Sequence, residues 1–177
     1  MGDYVKANPG LGYGSPGNGG SPHLAMLVFA RMAGIQMEHI PYRGAAPALN
    51  DIIAGNLASA FSDPLVTIPQ IRAGSVRALA VSGTRRLAAL PDVPTVAEAG
   101  MAGYEVVGWL GIVAPRGVPR PIVTRLNAEL NRIMRTAEME TRMRDQGTEI
   151  VTGTPEAFGD YIRGEIARWA QITREAG

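Results

Sequence analysis

The chain has no cysteine and only two histidines among its 177 residues. The missing thiols exclude disulfides, thiol nucleophiles and thiolate metal sites. Two histidines without the His/Glu spacing of a zinc-binding helix do not predict a catalytic zinc site either. The chain also has no excess of either charge, since 17 basic and 16 acidic residues leave a net charge of +1. It therefore lacks the positive charge that nucleic-acid binding needs. We therefore predict no metal, no cofactor and no nucleic-acid partner.

Long apolar runs are missing as well. No run approaches the roughly 18 residues that a membrane-spanning helix needs, and residues 1–6 lack the apolar segment of a signal peptide. Hydrophobic residues make up 46% of the chain and charged residues 19%, as in ordinary globular domains. We expect a soluble chain that is long enough to bury a sizeable core.

Residues 13–23 (YGSPGNGGSPH) contain four glycines, two prolines, two serines and one asparagine. This composition predicts a loop, and no packed helix or strand, with its backbone left available for binding. Apolar residues at helical spacing predict a helix over residues 24–33, ended by Gly34. Ser21 is suited to cap this helix and Pro22 to its first turn. The free N–H groups there predict a site for an anion such as a carboxylate or a phosphate.

Strand patterns and helix patterns alternate along the first part of the chain. We predict strands over residues 36–42, 57–61, 76–81 and 104–113, helices over 45–54 and 65–73, and one helical turn over 95–99. This alternation is typical of βα units, so we predict an α/β fold with a mostly parallel sheet flanked by helices. Three helices are predicted after it, over residues 121–135, 138–146 and 154–175, the last capped by Thr154. A lobe boundary is expected near residues 109–116.

The N-terminal residues 3–12 have the pattern of a helix tail broken at residues 8–10, because the residue before a proline is pushed out of the α region. A chain that opens on the end of a helix leads us to expect that an upstream part has been removed.

Three loops, at residues 14–22, 41–46 and 62–64, are predicted at one edge of the sheet, because ligands of open α/β sheets sit outside the carboxyl ends of the strands. Side-chain hydrogen bonds to a ligand are expected there from Ser15, Asn18, Ser21, Tyr42 and Asp63. Backbone N–H groups are expected from Gly19, Gly20, Gly44 and Ala45. The alternative interpretation, three ordinary turns, is weakened by their occurrence together in one βα array.

Single residues in these loops have two interpretations each. Arg43 matches a carboxylate bidentately, but an arginine near a loop is as often a solvated surface charge. Asp63 caps the helix that follows, which is the favoured interpretation, or orients the ligand or a bound water. His23 has no paired acid or nucleophile in the sequence, so a capping or structural histidine is favoured over a general base. His39 has apolar neighbours and is expected in the core or at a strand edge.

The pattern Gly12-x-Gly14-x-x-Gly17 formally matches the dinucleotide fingerprint, with Glu38 further on. No predicted strand precedes it, and Pro16 removes a donor from the loop, so the match is weak. An enzyme that holds a phosphate or coenzyme here, with His23 or Asp63 in proton transfer, is the rival hypothesis. It lacks a nucleophile, base and orienting group in one set, so we predict a protein that is not an enzyme.

Six segments follow one another along nearly the whole chain: YGSPGNGGSPHLAMLVFARMAG, HIPYRGAAPALNDIIAG, RALAVSGTRRLAALPDVPTVAEAG, GYEVVGWLGIVAPRGVP, IVTRLNAELNRIM and TPEAFGDYIRGEIARWAQI. Their order resembles one known family, the extracytoplasmic solute-binding proteins of tripartite tricarboxylate transporters, also called the TctC or Bug family.

The resemblance implies a type II periplasmic-binding-protein-like fold of two lobes that closes on a small carboxylated solute and delivers it to membrane transporter subunits. Residues 8–110 are similar to the continuous substrate-binding lobe and residues 116–177 to the returning C-terminal part of the other lobe. The ligand-facing positions of the family match the loop at residues 14–21, which includes Gly17, the segment Tyr42, Arg43, Gly44 and Ala45, and the turn that ends at Asp63. A periplasmic location follows from the resemblance.

From the family pattern we expect this chain to lack the signal peptide and the N-terminal half of the family. We therefore expect an N-terminally truncated receptor whose C-terminal helices lack their usual sheet. Their apolar faces need cover, which predicts packing onto the first lobe, domain swapping or a homodimer. Dicarboxylates, tricarboxylates, acidic amino acids and aromatic acids all stay open as the solute. A structural remnant that binds no solute stays open as a further alternative.

Overall fold

The computed structural model describes residues 2–8 and 10–176, with side chains for residues 4–8 and 10–174. It divides into two compact units, Met1–Gly108 and Trp109–Gly177. The division lies at the edge of the range where the sequence predicts a lobe boundary. The assignment of the two parts to lobes stays a prediction.

The first unit is built on a parallel sheet of three strands, β1 (Gly12–Ser15), β2 (Glu38–Pro41) and β3 (Ser59–Ala60), in the order β2-β1-β3. The predicted loop over residues 13–23 is therefore wrong at both ends. Its first residues belong to the central strand β1, and its last residues belong to a helix that begins at Ser21. The glycines that indicated a loop are needed for packing. A side chain on Gly14 would place its Cβ 2.5 Å from Leu57 Cδ2, so only glycine lets the neighbours approach this closely.

Four helices accompany this sheet among the described residues: α1 (Gly2–Ala7), α2 (Ser21–Ala33), α3 (Ala45–Ile53) and α4 (Pro64–Arg72). Helices α3 and α4 begin and end within one residue of their predicted bounds, and α2 ends where predicted. Gly34 ends α2 in the left-handed conformation at φ 60°, as its position predicts. The predicted helix break at residues 8–10 includes Pro9, which lies outside the described residues.

Helices α2 and α3 lie on opposite faces of the sheet. Successive side chains of a strand point to opposite faces. The ring of Tyr13 stacks with that of His23 in α2, whereas the site of a Gly14 Cβ faces Ala48 in α3, at 3.3 Å. The first unit is thus a helix–sheet–helix sandwich, and both flanking helices begin at the edge where the strands end.

Residues 73–108 complete the core without forming the two strands that we predicted over 76–81 and 104–113. Val81 forms only an isolated parallel bridge with Thr95. The apolar character that predicted strands instead reflects burial, since Val106 is fully enclosed and Tyr104 donates its buried hydroxyl to the carbonyl oxygen of Ala25 at 2.9 Å. Burial also raises the pKa of Tyr104 above its ordinary value.

The core of the first unit is centred on an aromatic cluster. The rings of Phe29, Phe61 and Tyr104 have centroids 6.1 to 6.3 Å apart, and the Phe61 and Tyr104 rings are stacked. The predicted helical turn near residue 95 is confirmed, and it is closed by a capping box. Thr95 N–H donates to the carboxylate of Glu98, while Glu98 N–H donates to the Thr95 hydroxyl.

The described residues of the second unit form three helices, α5 (Arg120–Met134), α6 (Ala137–Asp145) and α7 (Pro155–Ala176). The Thr154 hydroxyl accepts the Ala157 N–H, so the predicted cap of α7 is confirmed. Buried Glu165 accepts hydrogen bonds from the indole N–H groups of Trp109 and Trp169. In the described part of the chain, no helix has both the length and the apolarity to cross a membrane.

Candidate functional site

Three loops meet the carboxyl ends of the parallel strands. They follow Ser15 of β1, Pro41 of β2 and Ala60 of β3, which places all three at one edge of the sheet. Two hydrogen bonds join the first loop to the second, from Tyr42 N–H to the Ser15 carbonyl at 2.9 Å and from Gly44 N–H to the Pro16 carbonyl at 3.2 Å. We name residues 16–20 the glycine loop and residues 42–44 the arginine loop.

Helix α2 begins at the end of the glycine loop and presents free donors there. Its N-cap is Gly20, whose carbonyl accepts the Leu24 N–H at 3.0 Å, so the prediction that Ser21 caps the helix is wrong. The N-cap lies one residue earlier than expected, so Ser21 is the first residue of the helix. No side chain caps this end, and the N–H groups of Ser21 and His23 have no partner within the described residues.

Helix α3 begins in the same way at the end of the arginine loop. Gly44 is its N-cap at φ 114°, a conformation that side-chain-bearing residues rarely adopt, and no side chain caps the helix. The N–H groups of Ala45 and Ala46 lack an acceptor among the residues that the structure describes. Beside them, the exposed guanidinium of Arg43 has no hydrogen-bond or ion-pair partner within the same part of the chain.

Several other predicted groups are used inside the protein. The fully buried hydroxyl of Ser15 donates to the Gly17 carbonyl at 2.7 Å, accepts the Gly17 N–H at 3.3 Å and lies 2.7 Å from His39 Nε2. The N–H of Gly19 donates to His23 Nδ1 at 3.0 Å. These bonds shape the glycine loop from within, so contact of Ser15, Gly17 or Gly19 with a solute stays a prediction.

The hydroxyl of Tyr42 donates to Asp51 at 2.7 Å, which fixes the ring against α3. This bond is the main cause that raises the pKa of Tyr42, with burial and the negative charge of Asp51 adding to it. Asp63 is the N-cap of α4 and accepts the Leu65 N–H at 2.9 Å, so the favoured interpretation of Asp63 is confirmed. Both residues keep lone pairs that can accept a further hydrogen bond.

The structural interpretation of the two histidines is also confirmed. The His23 and His39 rings are stacked at a centroid distance of 3.9 Å, and Tyr13 stacks on His39 at 5.0 Å. Burial, and then the positive charge that His23 can carry, lower the pKa of His39 below its ordinary value. Sequence reasoning missed this stack because it treated Tyr13 as a loop residue. The two rings stack because Tyr13 lies in β1, directly opposite His39 of the neighbouring strand β2.

The edge therefore offers two kinds of polar group. Groups with an internal partner are the Ser15 and Tyr42 hydroxyls, the Asp63 carboxylate and the N–H groups of Gly17, Gly19 and Gly44. Groups without one in the described structure include the side chains of Asn18, Ser21 and Arg43 and the N–H groups of Asn18, Gly20, Ser21, His23, Ala45 and Ala46. The second set consists mostly of donors at two helix N-termini, which suits an anion. Ala46 was not predicted.

Metal ligands are not gathered at this edge. Within the part of the chain that the structure describes, no three His, Cys, Asp or Glu side chains are placed to hold a metal ion. Among the described residues no strand precedes the Gly12-x-Gly14-x-x-Gly17 pattern, as predicted. Its first two glycines lie inside β1 itself, where they serve strand packing.

In open α/β sheets, loops and helix N-termini that meet at the carboxyl ends of the strands form the usual position for a ligand. The chain matches the model of the Tripartite tricarboxylate transporter family receptor, TctC, over residues 2–177. It belongs to this family. The predicted resemblance is thereby confirmed, and so is the prediction that the protein is not an enzyme, since the family consists of transporter receptors.

Curated relatives agree with this membership. The chain is 38% identical over 97% of its length to the UPF0065 protein in the tcbD-tcbE intergenic region of Pseudomonas sp. strain P51, of which it covers 52%. It is 35% identical over 88% of its length to the UPF0065 protein in the clcB-clcD intergenic region of Pseudomonas knackmussii, of which it covers 93%. The chain thus spans about half the length of the first of these relatives and most of the second.

Solved structures show the same fold. The R. palustris protein Rpa4515 with adipate has a TM-score of 0.94 and 34% identity, with 99% of this chain and 59% of that chain covered. The periplasmic binding protein BugD has a TM-score of 0.90 and 32% identity over 99% and 60% of the two chains. MatC from Rhodopseudomonas palustris with bound malate has a TM-score of 0.83 and 30% identity over 97% and 60%.

Proposed function

We propose that this chain is the solute-binding component of a tripartite tricarboxylate-type transporter and that it binds a small carboxylate at the edge formed by the glycine and arginine loops. One observation carries the proposal. In this member of the receptor family, helices α2 and α3 both begin with free N–H donors, and hydrogen bonds between the loops that precede them hold the two helix starts together. Similar proteins were solved with adipate and with malate. The solute class is therefore a carboxylic acid, with dicarboxylates first.

The chemistry of the edge fits this class. A carboxylate accepts hydrogen bonds from the N–H groups of Ser21 and Ala45, where the positive ends of the helix dipoles favour negative charge. The guanidinium of Arg43 is a fork that matches a second carboxylate bidentately. Asp63 keeps acceptor capacity, so it suits a hydroxyl of the solute or a bound water.

The wider assignment follows from the family. Residues 8–110 are proposed as the continuous substrate-binding lobe and residues 116–177 as the C-terminal part of the other lobe. The protein acts in the periplasm and passes its solute to membrane subunits of the transporter. Exposed apolar side chains of the second unit, such as Leu110 at 93% and Val151 at 91%, support the proposal that a homodimer or a domain swap covers them.

The test is calorimetric titration of the purified 177-residue chain with adipate, malate, citrate, glutamate and benzoate, with its mass in solution recorded by light scattering. We expect saturable binding of at least one of these acids. The variant Arg43→Gln is expected to weaken binding about tenfold to a hundredfold, because a hydrogen bond to a charged group is lost. The matched control is Arg72→Gln, an exposed arginine in the last turn of α4, which should bind as the unmodified chain does.

Two results contradict the proposal. If no acid binds to a folded chain, the chain is a structural part that does not bind solutes by itself. If Arg43→Gln and Arg72→Gln weaken binding equally, the arginine loop is not the binding position.

A further inference from the structure

The glycine loop is held from inside by one side chain of helix α2. Gly19 has φ 74°, and its N–H donates to His23 Nδ1 at 3.0 Å. A histidine nitrogen accepts a hydrogen bond only when it carries no proton. The observed bond therefore requires His23 to be neutral at Nδ1, with its proton on Nε2.

The neighbouring histidine uses the opposite role. The Ser15 hydroxyl has one proton and donates it to the Gly17 carbonyl, at 2.7 Å, so it accepts from His39 Nε2, also at 2.7 Å. His39 is thus a donor at this nitrogen. A second proton on His39 leaves its bond to Ser15 intact, whereas a proton on His23 Nδ1 turns the bond to Gly19 into a contact between two donors.

No counter-charge compensates a proton on His23 in the described structure. The titratable groups that face its ring are His39 of β2, stacked at 3.9 Å, and Tyr13 of β1, whose centroid lies at 6.3 Å. No carboxylate forms an ion pair with His23 within the described residues. Burial raises the pKa of Tyr13, which keeps it neutral, and burial followed by the charge of His23 lowers the pKa of His39.

We propose that His23 is the positioning residue of the glycine loop and makes solute capture dependent on pH. With Nδ1 free of a proton, His23 holds Gly19 and thereby the donors at the start of α2 in their binding arrangement. Protonation releases Gly19, the loop loses this arrangement and the solute dissociates. The inference rests on the proposed function, because it concerns binding at the same edge.

The experiment measures binding of adipate and malate to the whole chain from about pH 8 to about pH 5.5, the range in which histidines titrate. We expect affinity to fall about tenfold over this range, which corresponds to the loss of one hydrogen bond. In His23→Asn, the amide oxygen replaces Nδ1 as an acceptor that does not titrate, so the tenfold fall should be absent and only protonation of the acid itself should weaken binding. In His23→Leu, which has no acceptor, affinity should be low at every pH.

The matched control is His39→Gln, whose amide N–H₂ replaces the donor to Ser15 without titrating. It should keep a fall in affinity with acid, because His23 is still present. Loss of the pH dependence in His39→Gln, or its persistence in His23→Asn, overturns the proposal. A flat profile of the unmodified chain overturns it as well.

A second readout separates this inference from the proposed function. The Gly19 amide resonance of the free, ¹⁵N-labelled chain is followed through the same pH range. It should shift together with the His23 ring nitrogens, whether or not an acid binds. If neither acid binds, the proposed function fails while a shift of Gly19 still supports the role of His23 in the loop. A Gly19 resonance that does not move with His23 contradicts that role.

Discussion

The two units of this chain bury their apolar residues very differently. Among the described residues, every buried hydrophobic side chain lies between Val5 and Val106, in the first unit, whereas the buried class of the second unit contains only Glu165. The second unit instead leaves Leu126, Val151 and Ile166 exposed. The first unit thus has the core that burial of apolar surface requires, and the second has amphipathic helices whose apolar faces are open.

This difference explains where a binding site can be built. Donors at the starts of α2 and α3 are held by a sheet and two buried helix faces, so their positions are fixed before a ligand arrives. The helices of the second unit have caps at Thr136 and Thr154, but no buried hydrophobic residue among their described positions. We therefore expect substitutions in the two units to act with different size and even different sign.

The largest expected contrast is between two isoleucines. Ile68 is 2% exposed in the first unit and Ile166 is 64% exposed in the second. Ile68→Ala should lower the free energy of unfolding by about 2 to 5 kcal/mol, because it leaves a cavity. Ile166→Ala should change it by less than about 0.5 kcal/mol. Urea unfolding followed by far-UV circular dichroism measures both.

A loss of more than about 1 kcal/mol in Ile166→Ala would contradict the open apolar face, since truncation of an exposed side chain has little effect. Light scattering of the same samples would then show whether a second copy covers Ile166. Tryptophan fluorescence reports on the second unit in this experiment, because both tryptophans of the chain, Trp109 and Trp169, lie there.

A smaller contrast is expected between two glycines. Gly14→Ala places a Cβ 2.5 Å from Leu57 and 3.3 Å from Ala48, so it should destabilise the first unit by about 1 to 3 kcal/mol through overpacking. Gly164 of α7 has open space around its Cβ position. Gly164→Ala should therefore stabilise the helix, by up to about 1 kcal/mol. Thermal unfolding measures the change in stability of each variant. If both variants change stability in the same direction, the space around the added Cβ does not decide the outcome.

The smallest expected effect concerns two glutamates, one in each unit, that each accept hydrogen bonds from a backbone N–H and an arginine. Hydrogen bonding from the Thr95 N–H, and then from Arg86, lowers the pKa of Glu98 in the first unit. In the second unit, the pKa of Glu156 is lowered by a hydrogen bond from the Glu156 backbone N–H and then by one from Arg120. A lowered pKa in the folded state adds stability that is present above the unfolded value of about 4.3 and is lost as pH falls through the folded value.

Glu98→Gln and Glu156→Gln should therefore each lower the melting temperature slightly at neutral pH and match the unmodified chain in strong acid. The effects are small because both carboxylates are exposed. Thermal scans at a series of pH values measure them. A difference from the unmodified chain that is independent of pH would show that the carboxylate charge is not the cause.

The sequence predicted the helices better than the strands, for physical reasons. Gly34, Gly74 and Pro155 mark helix ends by local backbone preference, which needs no tertiary information. Strand β1 was missed because Gly12 and Gly14 follow a tertiary demand, the close approach of Ile40 and Leu57. Val106 was assigned to a strand because buried irregular backbone and buried strand share the same apolar composition.

That the three loops share one edge of the sheet was predicted and is confirmed, whereas solute contact at this edge stays a prediction. The loop composition and the alternation of strand and helix patterns indicated the shared edge. Which donors stay free depends on pairs far apart in sequence, such as Ser15 with His39 and Tyr42 with Asp51. Such pairs follow from register and packing, so composition could not reveal them.

The most direct test of the account is ¹⁵N-resolved titration of the whole chain with adipate and malate, in which each amide reports on its own surroundings. The account predicts shifts at Asn18 of the glycine loop and at the donors of the two helix starts, among them Ser21 and Ala45, with the Arg43 side chain affected in step. Absence of shifts with both acids, or shifts confined to the unit Trp109–Gly177, would contradict the proposal that solute binds at this edge of the first unit.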